Sequence, residues 1–321
     1  MIEIYRRDAD GAVRRASDCE IALTQSGLVW IDLDDPNDAE EQHVETTLGV
    51  DVLTAAERSA MEESARFYEE AGALYLTTTL LGRRDEGPFL SGPVTFILTG
   101  KGTLVTVRHI SPRAFDIGHG RSSARIERAA GGADVMVALI EGCVERIADV
   151  LQESTRSAHA LSAQVFAEGD AAPHLPTTLR TLGRLGTLTA LSHDSLSTLR
   201  RAVAYAAQTP PKPYGLDMGK LVALGHDIEQ LERAVEAFQN HLTFLQEATL
   251  GLVGAAQSNT LKALSLATIA FVPPTLIASI FGMNFQAMSW FKTEWGPWVG
   301  FTLMAAAPAT LFGIAKWRRW F

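Results

Sequence analysis

Two stretches near the C-terminus carry no charged side chain, Ala263 to Phe281 (about 19 positions) and Gly296 to Ala315 (about 20). A helix needs about 20 mostly apolar residues to cross a hydrocarbon core. The pair therefore predicts two membrane spans joined by a short loop. Upstream of them, no proline occurs between Pro213 and Pro273. Over that stretch Leu221, Leu224, Ile228, Leu231, Val235, Phe238, Leu242, Leu245 and Leu250 recur mostly at steps of three and four. This spacing predicts one coiled-coil-like helix running into the first span. From Leu216 to Phe281 it would measure on the order of 90–100 Å at about 1.5 Å per residue. A helix of that length does not fold back into a compact domain, and symmetric copies alongside it are the expected neighbours.

The first hundred residues read as mixed strand and helix. Leu28 to Leu33 has strand composition and is broken by Asp34-Asp35-Pro36. Asp35 is the expected cap of a helix with Pro36 at its first position, running to about Leu48. A second helix is expected over Ala55 to Glu63. Phe67-Tyr68, Leu74 to Leu81, Pro93 to Leu98 and Thr103 to Arg108 read as strands, with Lys101-Gly102 as a hairpin turn. Gly131-Gly132 breaks the chain before a helix from Ala133 to about Phe166. Gly169 to Pro176 is a turn region, and Leu175 or Pro176 opens a second long helix to about Ala207. Together these two predict a helical hairpin on the sheet, stopped by Pro210-Pro211-Lys212-Pro213.

Composition narrows the function. The 321 residues carry a net charge of −9, which disfavours nucleic acid as a partner. Cys19 and Cys143 lack zinc-ligand spacing and read as inert core thiols in a reducing compartment. The opening Met-Ile-Glu-Ile-Tyr-Arg-Arg has no apolar run of the kind a secretory leader needs, so none is expected. No Gly-rich phosphate loop and no Ser/His/Asp order appears, and enzyme chemistry finds no support. The acids Asp32, Asp34, Asp35 and Asp38 invite a metal reading, but helix-capping preference accounts for them as a solvated loop. Lys316, Arg318 and Arg319 directly follow the second span, whereas the loop holds only Lys292 and Glu294. The positive-inside rule then places both termini in the cytoplasm. Trp290, Trp295 and Trp298 on one side and Trp317 and Trp320 on the other read as interfacial belts.

One face of the first span is rich in hydroxyls. Leu261, Leu264 or Ser265, Thr268, Val272, Thr275 and Ser279 follow at steps of three and four. Such a stripe either lines a water-filled pore or lets helices pack closely. Pro273-Pro274 removes two backbone donors inside the span, and the freed carbonyls need water or neighbours. The span ends in Gly282-Met283-Asn284, where helix-end carbonyls and an amide face water together.

Phe281-Gly282-Met283-Asn284-Phe285, followed closely by Trp295-Gly296, resembles the motif of the CorA family of divalent-cation channels. Two C-terminal spans behind a large soluble domain are similar to that family as well. The resemblance implies an α/β cytoplasmic domain, a long stalk helix and two transmembrane helices, assembled as a funnel-shaped homopentamer in the inner membrane. The corresponding segments are 1–131 (α/β), 132–213 (helical hairpin), 214–262 (stalk), 263–281 (first, pore-lining span), 282–295 (outer loop), 296–315 (second span) and 316–321 (basic tail). It implies Mg2+ as the transported ion and a candidate regulator, with Co2+ or Ni2+ as further substrates, and no cofactor. Mg2+ sheds its waters reluctantly, so Asn284 amides and Gly282 carbonyls would hold it through its hydration shell. By the same resemblance Ser258, Leu261, Leu264, Val272 and Thr275 fall at pore-lining positions, with Ser258 where the family commonly has asparagine.

The chain departs from the family pattern in three places. A second proline, Pro274, follows the expected Pro273. Gln286 and Trp290 stand where the family's outer loop often carries acids, which weakens electrostatic recruitment of cations. Ala223 stands where the family's regulatory metal pair has its first aspartate. His226 and Asp227 are the candidate replacement, suited to a softer metal such as Zn2+ or Ni2+; the other reading is ordinary solvated side chains. A Zn2+ transporter of the same superfamily, with or without proton coupling, is the first alternative, and Met283 argues against it. A membrane-anchored sensor that conducts nothing is the second.

Overall fold

A computed structural model of the chain describes residues 1–16, 27–54, 57, 65–83, 87–116, 121–166, 175–283 and 294–318. These divide into two compact units, Met1–Leu245 and Gln246–Phe321.

The first unit is built on a seven-stranded sheet. Its strands are β1 (Ile2–Arg7), β2 (Val13–Arg15), β3 (Leu28–Asp34), β4 (Phe67–Glu70), β5 (Ala73–Arg83), β6 (Phe89–Thr99) and β7 (Leu104–Arg108), in the order β2-β1-β3-β7-β6-β5-β4. Every pairing is antiparallel except β3 with β7, which sets Asp32 opposite Thr106. Both faces are buried, so the central strands are nearly all apolar. Trp30, Leu74, Leu76, Phe96, Leu98 and Leu104 point to one side, and Ile31, Leu33, Tyr75, Ile97, Val105 and Val107 to the other. Helix α1 (Asp38–Leu48) covers the second side through Val44. On the first side lie α2 (Arg121–Glu127), α3 (Gly132–Val165), α4 (Leu175–Gln208) and the opening of α5 (Met218–Gly282). Strands β1 and β2 have no counterpart in the sequence reading. The expected helix over Ala55 to Glu63 lies, apart from Glu57, outside the described residues, as does Cys19.

The cap of α1 is Asn37, not Asp35. The Glu40 amide donates to Asn37 Oδ1 at 3.0 Å, and the Asn37 amide donates back to Glu40 Oε2 at 3.0 Å. Asp35 instead adopts φ 48°, and its carboxylate meets His109 Nδ1 at 2.5 Å. The reason is local: Pro36 biases the residue before it away from helix, and Asn37 has a glutamate three residues on, which closes a reciprocal box.

The α3–α4 hairpin seats on the sheet by polar as well as apolar contacts. β4 is too short to cover the outer edge of β5, and α4 takes over there. Ser195 Oγ accepts from the Leu81 amide at 3.3 Å, while Thr198 Oγ1 lies 3.0 Å from the Thr79 amide and 3.1 Å from its carbonyl. An open strand edge is thereby satisfied by a helix. Cys143 is buried in the same core, and burial pushes its thiol up to about 12. At Gly132, the first residue of α3, an added Cβ would sit 2.4 Å from the Leu104 nitrogen and 2.7 Å from the Gly102 carbonyl oxygen. Backbone has little room to give. Gly132→Ala is expected to lower stability by about 1–3 kcal/mol, as overpacking does. Thermal melts of the two proteins side by side test this, and an unchanged midpoint would refute it.

The regular stripe on α5 has a different partner from the one its spacing suggests. Leu221, Leu224, Ile228 and Val235 pack with Leu196, Leu199, Ala202 and Val203 of α4. Phe238, Leu242 and Leu245 pack with Ala158, Leu161 and Val165 of α3 and with Leu182 and Leu185 of α4. The same chain buries the stripe through Leu245, whereas Leu250 is 58% exposed. Three-and-four spacing reports that a face is buried, and the α3–α4 hairpin supplies the cover that the sequence reading gave to symmetric copies.

Candidate functional site

The second unit holds the remainder of α5 and helix α6 (Gly296–Trp317), the two helices long and apolar enough to cross a membrane. They pack along one line. Leu266, Ile269, Pro273, Pro274, Ile277 and Phe281 are half-buried, whereas the rest of α5 from Gly254 to Gly282 is exposed. Gly300 lets α6 come close, since a Cβ there would stand 3.0 Å from the Phe281 ring.

The eight stripe residues lie elsewhere on the helix. Ser258, Leu261, Leu264, Ser265, Thr268, Val272, Thr275 and Ser279 are all exposed in the single chain. At about 3.6 residues per turn, the centre of the stripe sits roughly 140° around α5 from the α6-packed line. The hydroxyls are oriented by the helix itself: Thr268 Oγ1 donates to the Leu264 carbonyl at 2.9 Å, and Thr275 Oγ1 donates to the Phe271 carbonyl at 2.6 Å. Both threonine hydroxyl protons are thus committed to their own helix, which leaves the oxygens' acceptor side for water. That arrangement suits a cation with its hydration shell.

α5 ends at Gly282, and the Met283 amide donates to the Ile280 carbonyl at 3.3 Å. Gly282 and Met283 are exposed. The last carbonyls of a helix lack intrahelical partners and form the negative end of its dipole. Asn284, Trp290, Lys292, Arg319 and Trp320 lie outside the described residues. Trp295, Trp298 and Trp317 are 76%, 73% and 83% exposed.

His226 and Asp227 are exposed on α5, and His226 Nε2 lies 2.7 Å from Gln230 Nε2 on the same helix. Among the described residues of one chain, no group of three or more metal-ligating side chains forms. The acidic cluster is not one solvated loop. Asp32 is buried and paired with Arg108 at 2.8 Å, Asp34 meets Arg108 Nη1 at 3.0 Å, and Asp35 meets His109. Only Asp38 sits in the first turn of α1 as a helix-start acid. Sequence reasoning missed Arg108 because its partner lies 76 residues away.

Comparison with known proteins agrees with this architecture. Residues 25–318 match the family model described as CorA-like Mg2+ transporter protein. The chain is 29% identical to the magnesium transport protein CorA of Wolinella succinogenes, across 99% of this chain and 100% of that one. It is 28% identical to the protein of the same name from Salmonella typhimurium, across 88% and 89%. The complete structure of the CorA magnesium transporter from Methanocaldococcus jannaschii superposes with a TM-score of 0.75 at 17% identity, covering 98% of this chain and 97% of that one. An α/β domain, one long helix and two apolar helices at the C-terminus, matched over nearly the whole length, make this chain a member of the CorA-like Mg2+ transporter family.

Proposed function

We propose that this protein is a homopentameric channel for hydrated Mg2+, with Gly282-Met283-Asn284 at its mouth and the α5 stripe along its bore. The observation that carries the reading is the placement of the hydroxyl stripe. It faces away from α6 and is exposed among the described residues of its own chain, so copies of α5 arranged in a ring with this face to the axis would turn it inward. Thr268, Thr275 and Ser279 then offer oxygens to hydrated ions, and Leu261, Leu264 and Val272 form the apolar rings that close a pore by dewetting. Carbonyls at the end of α5 and the Asn284 amide hydrogen-bond the ion's waters without stripping them. The basic residues Lys316 and Arg318 after α6 support a reading with both termini in the cytoplasm, and an inner-membrane location is part of the same proposal. The relatives named as magnesium transport proteins support Mg2+ as the principal ion.

Ion entry into proteoliposomes containing the purified protein and an ion-sensitive dye tests the proposal. Mg2+ is expected to enter down its gradient without a proton gradient. Zn2+ entry alone, accelerated by a pH difference, would move the assignment to a zinc transporter. No movement of either ion through folded, pentameric protein would leave a membrane-anchored sensor.

A further inference from the structure

A cavity of about 750 Å³ opens in the first unit beside the buried Asp32–Arg108 pair, and its wall is rich in arginine. Three of these arginines, Arg83, Arg113 and Arg146, come from separate elements. Arg83 ends β5, Arg113 follows the segment that β5 pins, and Arg146 projects from α3. The pinning is explicit: the Ser111 amide donates to the Arg83 carbonyl at 2.9 Å, and the Arg83 amide donates to the Ser111 carbonyl at 3.3 Å. Phe89 holds two of the three, with the Arg83 guanidinium carbon 4.2 Å and the Arg146 guanidinium carbon 5.5 Å from the centre of its ring.

Other arginines at this cavity have acidic partners. Arg14 pairs with Asp8 and Asp10, Arg15 with Glu3, and Arg108 with Asp32 and Asp34. Among the described residues, Arg83, Arg113 and Arg146 form no ion pair. Burial first, then Arg113 and Arg83, hold the Arg146 guanidinium below the ordinary arginine value, while Asp149 and Glu153 pull the other way. Asp116 and Glu127 are the remaining acids on the wall. Gathering like charges costs free energy, and three cations gathered with no acidic partner among the described residues are set for an anion.

We infer that this cavity is a binding site for a polyphosphate group, gripped by Arg83, Arg113 and Arg146. Guanidinium presents a planar fork of donors that matches phosphate oxygens two at a time. A lone carboxylate has only two oxygens and satisfies one fork. A di- or triphosphate spreads many oxygens along a chain, as three arginines from different elements require. The inference is independent of conduction, since no stripe or mouth residue takes part.

The test is calorimetric titration of the full-length protein in detergent, in Mg2+-free buffer, with inorganic triphosphate and, separately, ATP. Saturable binding near one equivalent per chain is expected, with a Kd below about 1 mM that weakens as salt is raised. Arg113→Gln with Arg146→Gln is expected to weaken binding at least tenfold, while Arg125→Gln, whose side chain pairs with Glu141 and Glu145, changes nothing. Equal binding of both probes assigns recognition to the phosphate chain. Binding of ATP alone, lost in the same double variant, supports the site and narrows its ligand to a nucleoside polyphosphate. Absence of binding to folded wild-type protein overturns the inference, as does undiminished binding to a double variant with an unchanged melting temperature.

Discussion

Asn284→Ala abolishes Mg2+ entry into proteoliposomes, in the outcome expected from a mouth that reads hydrated ions, while the protein stays folded and assembled. Entry into a narrow pore requires the ion's water shell to find partners at the moment it leaves bulk water. α5 supplies carbonyls at its end, and the helix dipole makes that end negative. The amide two residues past Gly282 adds a carbonyl acceptor and an NH2 donor. In the proposed pentamer a ring of five such amides would make five hydrogen bonds to ordered waters, each with a net value of about 0.5–1.5 kcal/mol. Losing all five removes about 2.5 kcal/mol or more, and every 1.4 kcal/mol is about tenfold. A fall of at least about 50-fold in initial rate is the expected size. Thr302→Val is the matching control, because Thr302 lies on α6 and its hydroxyl donates to the Trp298 carbonyl of its own helix at 2.8 Å. A rate for Asn284→Ala within twofold of wild type would remove Asn284 from the mouth.

What could be read without coordinates follows from how local each signal is. A span is a property of consecutive residues, so both apolar helices and the uninterrupted α5 are legible from composition and proline placement. The apolar, β-favouring composition of β3 and of β5 through β7 is similarly local. Partners are not. The α5 stripe announces a buried face in its spacing, but whether α3 and α4 or another copy covers it depends on tertiary packing. β1 and β2 are short and carry Glu3, Arg6, Arg7, Arg14 and Arg15 among few apolar residues. They become strands because β3 offers them an edge. Of the site, the hydroxyl stripe and the end of the span were visible. The face on which α6 would pack was not, because Gly300 and Phe281 meet across a loop whose path the sequence does not specify.

The second large effect is on stability, at a pair that only the parallel register of β3 and β7 creates. Asp32 Oδ2 receives Arg108 Nη2 at 2.8 Å and Nε at 3.1 Å, and Asp32 Oδ1 receives the Thr106 hydroxyl at 2.6 Å. Thr106 in turn accepts from Trp30 Nε1 at 2.9 Å, and Arg108 Nη1 donates to the Ile110 carbonyl at 3.0 Å. Burial pushes the Asp32 carboxyl above the ordinary aspartate value, against the opposing pull of Arg108 and Thr106. Burial also works against the charged guanidinium, but Asp32 and Asp34 outweigh it and the Arg108 pKa is raised. Asp32→Ala strips the principal partner from a cation that is only 7% exposed. Breaking one side of a buried pair costs about 3–5 kcal/mol. The lower end applies here, because Asp34 and the Ile110 carbonyl still hold Arg108. For a unit of this size about 3 kcal/mol corresponds to a melting point lower by roughly 6–12 °C. Asp32→Leu combined with Arg108→Met removes both charges and is expected to recover most of that loss, since well-packed apolar pairs replace buried ion pairs at little net cost. If the single variant melts within about 2 °C of wild type, the pair is not what holds β3 against β7. If the double variant melts no higher than the single one, the loss comes from packing around Trp30 and Phe115 rather than from an orphaned charge.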